Sequence, residues 1–511
     1  MSTSARYYSR LFAGHRPGYP ADVLKKLAES LRDEDHNHDN DDDETNEKDN
    51  RKDRRRRPGS CSSGYAYFGQ FITHDLSRDG TELPNAGKEE PEETKNERTA
   101  CLDLEPLYGR PHSAPSVKRL GNKLLLGNTL PSEELELEST YNDLPRDSKG
   151  IAEIYDKRND TSLLLAQLHV LLIKFHNRIV DDLCHGNIPS AGPDSSLFAR
   201  ARRLVTWHYQ WIVRYDYLLK LVAPDVLQDI TMHWPRLYRP TEGNAAVPVE
   251  FAWAAFQYGH SAVQNSYNIN RYHHRLPLGD LFCLTGNGEE KLRLKRCADP
   301  TGNTQLPEEY VVDPGRMFGW GPPGISNVSE EIDTLIPSAF YELPLEFVIQ
   351  LTNESPERLR DRDRGRSLTE ITLLRGSGIG IPSGQEACRL SGVEPLAADQ
   401  LAHTPQLKNF LYRNGLVEST PLFYYILREA EVAGRASVWG RPCKRLGPLG
   451  SRIVAEVILG VLNADTDSFT HAVWQPPLIC LNQGRTIRVD SLKKLALYAS
   501  GHADWISAEP S

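Results

Sequence analysis

Gly69-Gln70-Phe71-Ile72-Thr73-His74-Asp75-Leu76-Ser77-Arg78 is the stretch on which the reading of this 511-residue chain turns. Gln70 and His74 are four apart, so on a helix their side chains stack on one face. Asp75 follows His74 and points elsewhere. One turn then offers an imidazole and an amide to one pocket and a carboxylate to a different site. Phe71 and Ile72 pack the rest of the turn. Such a turn carries chemistry only if the remaining chain supplies partners.

Bulk properties narrow the search for those partners. A hydrophobic content of 39% and a charged content of 25% are ordinary for a soluble globular protein. The net charge of −9 argues against a nucleic-acid binder, which needs a basic surface. No run of 18 or more apolar residues occurs, so no membrane span is expected. The first residues, Met1 to Arg10, contain no apolar core of a secretory signal, which points to a cytoplasmic location. The eight cysteines are scattered without a Cys-x-x-Cys pair, as reduced thiols would be.

Along the chain, an acidic, Asn-rich run passes into a basic one between about residues 33 and 57. Almost none of it can be buried, so it reads as a disordered insert within an N-terminal extension, residues 1–60. Lys88–Arg98 and Pro131–Lys149 read as exposed loops. Four segments read as long helices. Thr161–Leu183 is apolar nearly all round, as a helix inside a large core must be, with Asn159 or Asp160 as its N-cap. Ser196–Val222 is long and aromatic. Val249–Gln264 carries His260 in an apolar context. Ser451–Leu462 follows the Gly447-Pro448-Leu449-Gly450 break. Strand-like alternation is scarce and no linker divides the chain after residue 60. The expectation is one large, mainly α domain over residues 61–505.

The Gln70/His74 turn, Arg158 before one core helix and His260 within another suggest haem. A haem enzyme that cleaves O–O bonds needs an iron ligand on one side, a role that neutral imidazole suits. On the open side a histidine takes a proton from peroxide and returns it to the leaving oxygen. An arginine nearby stabilises the charge that develops. The pieces lie far apart in sequence, and spacing alone does not join them.

The motifs do. The chain resembles the animal-type haem peroxidase, or peroxidase–cyclooxygenase, superfamily, and within it the non-secreted bacterial and fungal members. Tyr67 to Asp75 is similar to the distal-histidine motif, and Leu102-Asp103-Leu104-Glu105-Pro106-Leu107-Tyr108-Gly109 to the calcium-loop motif. Arg158-Asn159-Asp160, Gln167-Leu168-His169 and Phe175-His176-Asn177-Arg178 resemble the distal-arginine helix. Ala255-Phe256-Gln257-Tyr258-Gly259-His260-Ser261 resembles the proximal-histidine motif. Leu373-Leu374-Arg375-Gly376 to Gly384 and Arg445-Leu446-Gly447-Pro448 extend the likeness to roughly residues 60–500.

The resemblance implies a large multi-helix domain with haem b buried between core helices. It implies His74 as distal acid–base, Gln70 as its hydrogen-bonding companion, Arg158 as distal arginine and His260 as iron ligand. Hydrogen peroxide would oxidise a small-molecule electron donor, an organic compound or a halide, through a ferryl species. For calcium it implies Asp75, Thr99, the Cys101 carbonyl, Asp103 and Glu105, the last standing where mammalian members have serine. A hard cation wants such oxygen ligands. His169 and His176, seven apart on one face, read as hydrogen-bonded packing residues rather than a metal pair.

Departures from the family pattern matter equally. Mammalian members bind haem covalently through carboxylates, and one adds a methionine link. The matching positions are Thr73, Thr161 and Ser162, so the haem is expected to be non-covalent and less strongly oxidising, which favours iodide, bromide or an organic donor over chloride. The asparagine that usually accepts from the proximal histidine is matched by Thr372. The tyrosine of the fatty-acid oxygenase branches is matched by Gln257, while Tyr258, two residues before His260, is expected to point away. The rival readings are a fatty-acid dioxygenase on the same fold and a non-enzymatic haem-binding protein.

Overall fold

Helical periodicity dominates the chain, and helices dominate its architecture. The computed structural model describes residues 7–33, 58–80, 94–110, 117–233, 235–285, 305–321, 324–352, 367–435, 445–481 and 484–502. Seven helices frame the site: α1 (Gly64–Leu76), α2 (Leu163–His185), α3 (Leu197–Ile212), α4 (Leu368–Gly378), α5 (Leu422–Arg435), α6 (Pro448–Ala464) and α7 (Leu492–Ala499). Strands among the described residues pair only in twos. The fold is mainly α, as the periodicity predicts.

α2 sits at the centre because it is apolar on nearly every side. It packs against α1, α3 and α7. By length and composition alone it is apolar enough to cross a membrane, but 78% of its most apolar window is buried inside the protein. Its start differs from the expectation. A 3-10 turn, Lys157–Asp160, comes first, and Ser162 is the N-cap residue. Asp160 does not cap because both its oxygens accept from Arg146, at 2.7 and 2.8 Å. Arg146 also bonds Asp143 at 2.8 Å. This buried ionic cluster corrects the reading of Pro131–Lys149 as wholly exposed.

Ser196 caps α3, its hydroxyl accepting from the Ala199 N–H at 3.1 Å. The helix then widens through a π turn, Val213–Tyr217, before Leu218–Leu221 completes the expected span. The expected helix Val249–Gln264 is broken. It consists of Val249–Ala252, a 3-10 turn Ala255–Tyr258, and Gly259–Ala262. Ala254 leaves helical geometry, with φ −136° and ψ −75°. The Gln257 amide donates to the Ala252 carbonyl at 2.6 Å, replacing the bond that the break removes.

Residues 7–33 are no separate extension. Tyr8, Phe12, Leu24 and Leu27 belong to the same buried cluster as the helices, and the helix Ala21–Glu29 lies on α4. Glu250 ties this segment down, its Oε2 accepting from the Leu11 N–H at 3.0 Å. Most of the charged insert, from residue 34 to 57, lies outside the described residues, as do residues 88–93. The last part of Lys88–Arg98, expected to be exposed, is not: Thr94, Asn96 and Arg98 are buried.

Candidate functional site

One cavity collects side chains from segments far apart in sequence. Gln70, Thr73 and His74 reach it from α1, Arg158 from the 3-10 turn, Ser162 from the start of α2, His260 from the broken helix and Thr372 from α4. It encloses about 1290 Å³, its mouth included. Packing fixes α1 beside it: Phe68, Phe71, Ile72 and Leu76 are fully buried, each stabilising the helix by about 2 kcal/mol relative to exposure. Gly69 lets the helix approach. A Cβ there would lie 2.4 Å from the Tyr217 hydroxyl oxygen and 3.0 Å from that of Tyr258.

His74 is held by polar contacts throughout. Its Nδ1–H donates to Asn159 Oδ1 at 2.7 Å. The Asn159 amide in turn donates to His169 Nδ1 at 3.0 Å. An amide oxygen only accepts, so His74 carries its proton on Nδ1 and its Nε2 is a bare base. Burial, and then the Arg158 charge, lower the His74 pKa to about 3, so the ring is neutral near pH 7. The companion of His74 is therefore Asn159. No hydrogen bond joins His74 to Gln70, although both line the cavity.

Arg158 is clamped by Asp156, its Nε donating to Oδ1 at 3.0 Å and its Nη2 to Oδ2 at 2.7 Å. Nη2 also donates to the His74 carbonyl at 3.1 Å. Arg98, fully buried, donates to the same carbonyl at 3.0 Å and to Asp156 at 2.5 Å. Burial works to raise the Asp156 pKa. The charges of Arg158 and Arg98 overcome it and hold the carboxyl well below its usual range. Two arginines thus share one carboxylate and one carbonyl, which fixes the guanidinium of Arg158 beside His74.

The His260 side is bare by contrast. Aromatic rings flank the imidazole, Phe340 at 5.9 Å and Phe423 at 5.7 Å between centroids. Its Nδ1 is buried without a hydrogen-bond partner, and withdrawal from water pushes its pKa down to about 3. The Thr372 hydroxyl donates to the Leu368 carbonyl in its own helix at 2.8 Å rather than reaching His260. A neutral imidazole with Nδ1 unpartnered, facing a cavity that His74 and Arg158 also line, fits the ligand of a haem iron. Tyr258, expected to point away, lines the cavity too, its hydroxyl 2.5 Å from that of Tyr217. The 3-10 winding before Gly259 turns it inward.

Of the hydroxyls at the positions of covalent haem links, Thr73 and Ser162 line the cavity. Thr73 donates to the Gly69 carbonyl at 3.1 Å, whereas Ser162 Oγ is buried and unpartnered. Thr161 donates to the Arg158 carbonyl at 2.8 Å.

Asp75 leaves the cavity for the loop that the calcium reading names. Its carboxylate accepts from the N–H groups of Leu104 and Glu105 at 3.2 and 2.8 Å. These bonds hold Leu104 at φ +58°, a left-handed conformation unusual for leucine. Thr99 Oγ1 donates to Asp103 and to Glu105, both at 3.2 Å. Glu105 is committed to Arg98 at 3.2 Å and Arg110 at 2.9 Å. Burial raises the pKa values of Asp75 and Asp103, with repulsion from Asp103 added at Asp75 and from Glu105 added at Asp103, which is pushed up to about 7. Both Asp75 oxygens are thus engaged by backbone N–H groups, and those of Glu105 by arginines and Thr99. Among the described residues no three His, Cys, Asp or Glu side chains are grouped to hold a metal ion. His169 and His176 are hydrogen-bonded packing residues, His176 joining the Tyr108 hydroxyl at 2.9 Å.

Comparison with known proteins fits this geometry. The animal haem peroxidase family matches residues 78–294, a span that holds Arg158 and His260 and begins just after His74. The chain is 29% identical to the chorion peroxidase of Drosophila melanogaster over 187 residues, 35% of this chain and 23% of that one. It spans less than half the length of such curated relatives. Peroxidase A of Dictyostelium discoideum shares the fold over 91% of this chain and 88% of its own, with a TM-score of 0.56 and 17% identity. A fatty acid alpha-dioxygenase of Arabidopsis thaliana does so over 98% and 76%, with a TM-score of 0.59 and 14% identity. The chain shares the helical fold of both structures. The matched family and the peroxidase relatives support the peroxidase–cyclooxygenase superfamily.

Sequence reasoning missed Asp156, Arg98 and the role of Asn159. Asp156 stands two before Arg158 and caps the 3-10 turn, its Oδ1 accepting from the Arg158 N–H at 3.1 Å. Asn159 was visible as a cap candidate. Its place between two histidines comes from helices that only folding brings together.

Proposed function

We propose that the chain is a haem-dependent peroxidase that uses hydrogen peroxide to oxidise a small organic donor or a halide such as bromide or iodide. The observation that carries this reading is the single cavity lined by both His74 and His260. His260 would hold the iron through Nε2, the nitrogen left open once Nδ1 is buried. Bound there, haem would supply the redox-active iron that reacts with peroxide. His74 Nε2 is positioned to take a proton from peroxide and return it to the departing oxygen. The Nδ1–H bond to Asn159 keeps Nε2 free for that exchange. Arg158 places a fixed positive charge beside it, held by Asp156 so that no reorganisation is needed. Gln70 adds a polar group to the cavity. With hydroxyls at positions 73, 161 and 162, the haem is held non-covalently. Asp75, Thr99, Cys101, Asp103 and Glu105 form a loop for calcium, which would brace α1 from behind. Metal analysis of the purified protein tests that part.

A pyridine-haemochrome assay after denaturing extraction tests the reading. The expected result is extractable haem b in the native protein and none retained by His260→Ala. Haem retained in full by that variant would overturn the assignment of the ligand. The rival reading, a fatty-acid dioxygenase, gains one observation, the cavity-lining Tyr258 bonded to Tyr217. Haem-dependent oxygen uptake with an unsaturated fatty acid would favour it.

A further inference from the structure

A second cavity lies beside the first, and Tyr67 lines both. It encloses about 1840 Å³, its mouth included. One wall is α2, through Leu164, Leu168 and Leu171, and Val312, Phe318 and Trp320 line it as well. Into these apolar surroundings the short helix Pro314–Phe318 places Arg316, which is only 5% exposed.

Arg316 is not satisfied by the protein. Its Nε and Nη1 are buried and have no hydrogen-bond partner. The neighbouring carboxylate, Asp313, lies 3.6 Å from Nε, too far for a hydrogen bond. Asp313 Oδ1 is instead engaged by the Gly315 N–H at 2.7 Å. The other cations at this cavity are occupied: Lys174 donates to Asn142 Oδ1, and Arg271, exposed, to the Tyr272 hydroxyl. A guanidinium cannot shed its charge, and a buried charge without a hydrogen-bonded counter-ion is costly. Glu308 also lines the cavity, its carboxylate accepting from the Thr129 and Thr140 hydroxyls, and polar groups left without acceptors in a largely apolar pocket are the kind that orient a ligand.

We propose that this second cavity binds an apolar molecule carrying one carboxylate, with Arg316 as the partner of the anion and the leucine and aromatic walls as the seat of its body. Arg316 has an ion-pair partner in Asp313 at 3.6 Å but no acceptor for its Nε and Nη1 N–H groups, a need that one carboxylate meets, whereas a phosphate monoester brings up to two charges. The inference does not rest on the peroxidase reading.

Isothermal titration of the full chain with naphthalene-2-carboxylate, against the uncharged naphthalene-2-methanol, tests it. The carboxylate is expected to bind at least about tenfold tighter than the alcohol. Arg316→Gln should remove that advantage and leave binding of the alcohol unchanged. Val311→Trp, which fills the cavity from its partly exposed side, should abolish binding of both. Loading with haem should change neither affinity. Equal affinities for the two probes, no binding by the wild type, an undiminished carboxylate affinity in Arg316→Gln, or loss of binding when haem is added would each overturn the proposal. The wild-type comparison needs no variant, so it stands even if a substitution impairs folding. A chain that retains no haem would sink the peroxidase reading and leave this test unchanged.

Discussion

The two histidines of the main cavity are held in opposite ways. His74 sits in a lattice of hydrogen bonds that specifies its tautomer, its neighbours and the charge beside it. His260 is placed by packing, between Phe340 and Phe423, and its Nδ1 has no hydrogen-bond partner among the described residues. The difference teaches what each position requires. A proton carrier needs its donor and acceptor nitrogens assigned in advance. A metal ligand needs a neutral ring and an open nitrogen, which aromatic packing and burial supply.

If the polar lattice is what distinguishes the His74 side, removing its centre should cost the most. Arg98→Leu strips Asp156 and Glu105 of a buried partner, and loss of one member of such a pair costs about 3–5 kcal/mol. Chemical denaturation should register that loss, and a cost under about 1 kcal/mol would mean that the lattice is incidental.

The pH dependence follows from the same neutral rings. His74, His169 and His176 have folded pKa values of about 3, 4 and 4, lowered first by burial. The unfolded chain protonates them near pH 6.5, so unfolding takes up protons and stability falls as pH drops from about 6.5 toward 4. Moving from pH 7 to 5.5 should remove about 1 kcal/mol for each ring. Asp103, with a folded pKa of about 7, works in the opposite direction over this range, so the rings are followed directly by NMR: imidazole signals that titrate between pH 7 and 5.5 would show that the folded rings accept protons.

On the proposed peroxidase function, Asn159→Leu should leave the fold intact and slow turnover of peroxide by on the order of a hundredfold, because His74 loses the bond that assigns its tautomer. Nitrogen-15 spectra of the histidines should show a mixed tautomer at His74. An unchanged rate with an unchanged spectrum would remove Asn159 from the mechanism. The smallest effect is expected on the other side. Thr372→Val deletes a hydroxyl whose bond stays within its own helix, so it should cost less than about 1 kcal/mol and leave the Soret band of bound haem in place. A shifted band would mean that Thr372 turns to His260 once haem is bound.

The residue types of the site were legible in the chain. His74, Arg158 and His260 stand in motifs, and the helices that carry His74 and follow Arg158 announce themselves by apolar periodicity. The helix around His260 was misread because its break depends on Gln257 supplying a bond to Ala252, a contact that periodicity does not encode. Asp160 looked like a helix cap until Arg146, fourteen residues earlier, claimed both its oxygens. Residues 7–33 looked like an extension because a charged insert follows them, yet their apolar side chains fill the common core.

Local pattern settles which residues are able to carry chemistry, because amphipathic spacing and side-chain type are properties of a short segment. Pairing is different. Asn159 between His74 and His169, Arg98 across from Asp156, and Arg316 with Nε and Nη1 left without acceptors all depend on which segments pack together. Those choices are made by burial of the whole core, where every polar group must find a partner among residues that the chain order does not name. The Gln70/His74 turn therefore established the chemistry on offer, and the fold assigned its partner, Asn159 in place of Gln70.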